Sequence, residues 1–265
     1  MHSVRGYNTA PRRALMAHEE RTTRVEAAGQ LPLALLLISG GAVCFAIALL
    51  APAAARQTVA LMGRSGAESA SAELADAAAA AIELVATLVV AAGAVAWWRA
   101  RSRATSLRTR LMVLAGGLAW CIASTFLAWI AMSGVTGALR VGPSTWITPT
   151  GASLALGAVQ VLGASLIVQG MRPGLRALGA RSDTVAEARS AAGSLEFAVV
   201  AATLVLGSRL FSLILPTFGW GAWTPLARVL MNGSGLILAL CLIWGFVGCW
   251  QVARARPRAS AESAA

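Results

Sequence analysis

Six runs of mostly apolar residues organise the chain, at 31–51, 79–98, 111–132, 151–171, 195–215 and 230–250. Each holds roughly the 20 residues a helix needs to cross a hydrocarbon core about 30 Å thick. The pattern predicts an all-α fold, a polytopic bundle of six transmembrane helices. On this reading residues 1–30 form an N-terminal tail, 31–250 the membrane domain and 251–265 a C-terminal tail. The longest polar stretches are the N-terminal tail and the segments 52–78 and 172–194. None is long enough to bury an ordinary independent core, so no fused catalytic or nucleotide-binding domain is expected.

Two charges break the apolar pattern. The stretch "AAIELVATLVV", residues 80–90, carries Glu83, and "LVLGSRLFSLIL" carries Arg209. A charged side chain at the centre of a span costs about 2.5–3.5 kcal/mol on insertion scales and is by default paired or functional. With alternating spans, Glu83 falls about 6 Å and Arg209 about 9 Å from the same membrane face, at 1.5 Å per residue. This shared depth predicts an ion pair or polar pocket joining spans two and five, with Thr87, Ser208 and Ser212 as supporting polar groups. Separate snorkelling of both side chains to the interface is the other reading.

Finer patterns predict local features. The helix-forming "SGAESASAELADAAAA" runs without a breaker into span two, predicting one helix from Ala70 to Trp98 whose exposed end carries Glu73 and Asp76, with Glu68 just before it. In "SDTVAEARSAAG", 182–193, Thr184 and Glu187 fit a capping box and Gly193 a helix end, predicting a short surface helix. Its Asp183, Glu187 and Arg189 are candidates for docking a partner. Small residues crowd span four (Ser153, Gly157, Gly163, Ser165) and span six (Gly233, Gly235, Gly245, Gly248), which predicts both in the middle of the bundle. Gln160 and Gln169, nine residues apart, fall on opposite faces of one helix. Ser124, Thr203, Asn232 and Ser234 read as interhelical hydrogen-bonders, and Trp120 and Trp244 as core aromatics.

Composition agrees and adds orientation. The chain is 57% hydrophobic and 12% charged, with a mean hydropathy of +0.70. Its net charge of +11 could suggest nucleic acid, but the placement of the arginines argues for topology instead. Five lie in the N-terminal tail, five in 99–110, four in 172–189 and three after the last span, all on one predicted face. The other face has only Arg56, Arg64, Arg140 and Arg228. The positive-inside rule then puts both termini in the cytoplasm. Trp97, Trp98 and Trp250 fall at the inner boundary, and Trp146, Trp220 and Trp223 at the outer one, where indoles favour the headgroups. The absence of Lys beside abundant Arg, Ala and Gly points to a GC-rich bacterial genome and an inner membrane. The first span reads as an uncleaved anchor, being too long for a leader, and Met16 is an alternative start.

Candidate chemistry is sparse. Cys44, Cys121, Cys241 and Cys249 all fall within spans and read as packing residues, while His2 and His18 lie in the tail, so no metal site or haem is expected and no cofactor is implied. No intramembrane serine has a histidine base and Glu83 has no acidic partner, which argues against an enzyme. The expected function is a permease or membrane subunit of a transport system, with a cytoplasmic ATPase or other membrane subunits as candidate partners and the lipid bilayer as solvent. A non-catalytic scaffold of a larger membrane complex is the alternative.

Overall fold

A computed structural model describes residues 30–48, 68–100, 105–135 and 149–255. Residues 1–29 and 256–265, Trp146 and Arg56, Arg64 and Arg140 lie outside the described residues. Six helices carry the fold: α1 (Gln30–Ala48), α2 (Glu68–Arg99), α3 (Leu107–Val135), α4 (Pro149–Ser182), α5 (Val185–Ile214) and α6 (Thr224–Arg254). Two short 3₁₀ turns, Leu215–Phe218 and Gly221–Trp223, join α5 to α6. All six helices are long and apolar enough to cross a membrane. The long second helix reads in the structure as it does in the sequence, extending two residues before Ala70.

The helices alternate in direction, and small residues set their register. A Cβ on Gly93 of α2 would meet Ile38 of α1, and one on Gly117 of α3 would meet Ala94 of α2. Gly116 of α3 and Gly163 of α4 are so close that a Cβ on either would lie 2.6–2.8 Å from the other's carbonyl oxygen. Gly157 of α4 faces Leu206 of α5, and Gly245 and Gly248 of α6 face Leu195 and Ala191 of α5. Gly40 of α1 faces Phe246 of α6 across 3.6 Å, which closes the ring. These backbones approach because no side chain intervenes, the usual basis of helix association in lipid. Gln30, Arg99, Ser182, Val185 and Arg254 consequently share one end of the bundle, the arginine-rich end.

Three expectations are corrected. Segment 172–194 is neither a loop nor a surface helix: α4 continues through Pro173 to Ser182, α5 begins at Val185, and only Asp183 and Thr184 separate them. Asp183 makes the turn with φ 60°, a left-handed conformation that Asp tolerates better than most residues. Thr184 precedes α5 without a side-chain cap, its hydroxyl lying 2.8 Å from that of Ser182, and Gly193 is inside α5. Spans four and six are not both central, because the middle of the ring is a cavity. α4 packs on α3 and α5 and, through Gly174, on Trp97 of α2. α6 turns Leu236, Leu240, Ile243 and Val247 outward, and a Cβ added to Gly233 would meet nothing within 4 Å. Trp244 is likewise 64% exposed, an outward-facing residue and not a core one, whereas Trp120 is buried at 7%.

The tryptophans at the arginine-rich end divide. Trp97 is fully buried, wedged against Gly174, and its indole N–H has no hydrogen-bond partner among the described residues. Trp98 and Trp250 instead carry the guanidinium groups of Arg110 and Arg254 at 5.6 and 5.0 Å from their ring centroids. At the opposite end Trp220 and Trp223 are exposed, as interfacial indoles would be.

Candidate functional site

All six helices contribute to one central cavity of about 510 Å³. Its walls are mostly aliphatic, with Ile38, Val90, Met171, Leu195 and Leu242 toward the arginine-rich end. Glu83, Ser153, Gln160 and Arg209 line it toward the other end. From Gln160 to Met171 along α4 is about 16 Å at 1.5 Å per residue. The cavity is therefore amphipathic along its length.

Glu83 is held by a polar layer that crosses three consecutive helices. The Gln160 side-chain amide on α4 donates to Glu83 Oε1 at 3.3 Å and to Ser124 Oγ on α3 at 2.8 Å. Gln160 and Ser124 are buried, so the amide orientation is fixed from both sides. Thr87 donates to the backbone carbonyl of Glu83 at 2.8 Å, the i−4 bond common for threonine in a helix, and Cys121 Sγ lies 3.8 Å from the Thr87 carbonyl oxygen. Phe45 and Trp120 meet edge to face with centroids 4.9 Å apart, and both rings line the cavity. Trp120 follows Glu83 by about a turn, since Cys121 pairs with Thr87.

Arg209 lines the same cavity but does not pair with Glu83: no approach within the 4.0 Å ion-pair distance joins these two described residues. The register explains this. Gly157 opposite Leu206 sets Gln160 level with residue 203, so Arg209 stands six residues, about 9 Å, farther from the arginine-rich end. Both residues line one cavity, but in place of the direct pair expected from depth alone Glu83 accepts from Gln160. Arg209 is exposed, Ser212 donates to its backbone carbonyl at 2.8 Å, and Ser208 is half-buried. Neither serine reaches Glu83. Thr203 and Ser234 bond within their own helices and Asn232 is exposed; of the four expected interhelical hydrogen-bonders, Ser124 is the one that bonds across. Gln169 is exposed, opposite in face to Gln160, as the nine-residue spacing requires.

Asp183, Glu187 and Arg189 gather at the tip of the α4–α5 hairpin, away from the cavity. The hairpin is stapled by Arg172 and Glu196 at 2.7 Å and by Gly179 against Ala188. Among the described residues no group of three or more His, Cys, Asp or Glu could hold a metal ion.

Six apolar helices around a shared cavity define the chain as a multi-pass membrane protein. Compared with known proteins, it matches no family model, and no curated protein or solved structure is significantly similar to it.

Proposed function

We propose that this protein is a non-enzymatic transport component, a permease or the membrane subunit of a transport system, with both termini in the cytoplasm of a bacterial inner membrane. The observation that carries the reading is the central cavity: a carboxylate sits inside a membrane bundle, on a wall contributed to by every helix. A bundle selected only for stability gains nothing by leaving such a space, since voids forfeit packing contacts, and a charge within it is costly. Orientation is supported by the arginines that cluster at one end, with Arg110 and Arg254 over interfacial indoles. The charged tip of the α4–α5 hairpin, at that same end, is the surface offered to a cytoplasmic ATPase or another subunit.

Cysteine accessibility tests the reading. In a variant lacking the four native cysteines, single cysteines at Leu206 and Met171 are treated with a membrane-impermeant thiol reagent in right-side-out and inverted vesicles. A transport component exposes at least one of these positions from both sides. Labelling from one side only, or from neither, favours the scaffold. Terminal reporter fusions test the orientation independently.

A further inference from the structure

We infer that the cavity binds a lipophilic organic cation, with its charge at Glu83 and its apolar body directed toward Met171 and Leu242. This ligand class rests on reading the cavity as the functional site of a transport component.

Three observations select it. First, among the described residues Glu83 is the only acidic one lining the cavity, and its carboxylate accepts a side-chain hydrogen bond from Gln160. A carboxylate offers about four lone-pair positions, so the Gln160 bond leaves most of its acceptor capacity unused. Arg209, which would be the internal counter-charge, stands outside ion-pair distance. Second, Phe45 and Trp120 form an aromatic corner one turn from Glu83. Ring faces attract desolvated cations, organic ones in particular. Third, the remaining walls are mostly aliphatic over about 16 Å, and a space of about 510 Å³ lies within the range that takes drug-sized molecules. A calcium or magnesium ion would need six or more oxygen ligands, which these mostly aliphatic walls do not provide. An anion beside Gln160 and the aromatic corner would meet the Glu83 carboxylate, whereas the Arg209 guanidinium, the cavity's positive charge, belongs to a residue about 9 Å farther from the arginine-rich end than the Gln160 level.

The test is equilibrium binding of radiolabelled tetraphenylphosphonium to the purified full-length protein in lipid nanodiscs. Saturable binding at one site per chain is expected. Glu83→Gln should weaken it at least about tenfold, and Arg209→Gln, which removes a like charge from the cavity lining, should not weaken it. Val168→Trp, which fills the apolar part of the cavity without touching Glu83, should also abolish it. Tetraphenylborate, of the same shape and opposite charge, should not compete. Absence of saturable binding to the unaltered protein overturns the inference. So does undiminished binding by Glu83→Gln, equal competition by the borate, or a loss in Arg209→Gln as large as in Glu83→Gln, which would instead indicate a zwitterion. If Glu83→Gln does not fold, Val168→Trp and the borate competition still decide. Because binding is measured without a gradient, its failure removes the ligand class and leaves the accessibility experiment to judge transport.

Discussion

Gln160 of α4 bridges Glu83 of α2 and Ser124 of α3, donating at 3.3 and 2.8 Å from a single amide nitrogen. One side chain thereby fixes the position of an intramembrane carboxylate and the register of three helices. Thr87, its neighbour on α2, is committed to the backbone and leaves the carboxylate to Gln160.

Removal of that bridge should be more damaging than removal of the charge. Gln160→Leu leaves both Glu83 and Ser124 without their partner inside an apolar bundle, with an expected loss of about 1–3 kcal/mol. Glu83→Gln keeps a hydrogen-bonding group and should cost less. The two substitutions should be non-additive by at least about 0.5 kcal/mol, whereas Glu83→Gln and Arg209→Gln should add to within that amount. Reversible unfolding in mixed detergent micelles measures all of these. Strong coupling of Glu83 to Arg209, or recovery on exchanging the two charges, would contradict the geometry.

The glycines divide into two classes by what surrounds them. Gly163→Ala places a methyl against the Gly116 carbonyl, and Gly174→Ala drives one into the Trp97 ring, where 2.6 Å separates the Cβ position from Cη2. Each should cost about 1–3 kcal/mol as overpacking. Gly233→Ala meets nothing and should be neutral or gain up to about 1 kcal/mol from helix propensity. The same unfolding measurement distinguishes them.

The membrane-spanning character, the number of helices and the long α2 were legible because hydropathy reports directly on the bilayer. The extent of α4 and α5 was not. Arg172, Pro173 and Arg176 end the apolar run, yet the helix continues, since charge marks where the bilayer stops and says nothing about where backbone hydrogen bonding stops. The site was half legible for a related reason. Glu83 stands out as a charge among aliphatics, but its partner is a neutral amide whose role depends on which face of α4 meets α3, and Gly116 and Gly163 decide that. The opposite placement of Gln160 and Gln169 was the available signal: of two glutamines on opposite faces, one had to face the interior. Depth alone suggested Arg209, but depth does not report position around the ring.

At the arginine-rich end, the Arg172–Glu196 pair is short but its side chains are 45% and 42% exposed. Solvent screening should limit its coupling to about 1 kcal/mol or less. A double-mutant cycle with Arg172→Gln and Glu196→Gln measures it, and raising the salt concentration should reduce it further. A much larger value would mean that this end of the hairpin is buried against lipid headgroups or a partner.

The two mid-span tryptophans should respond oppositely to the lipid. Trp244 is outward-facing and Trp120 is enclosed beside Phe45. In bilayers whose acyl chains carry bromine near their midpoints, emission from Trp244 should be strongly quenched, because bromine quenches only on close approach. Trp244→Phe should therefore remove much of the quenchable signal, while Trp120→Phe should leave that signal unchanged. The reverse would mean that α6 is rotated by about half a turn, which would also carry Leu238 and Leu242 away from the cavity they line.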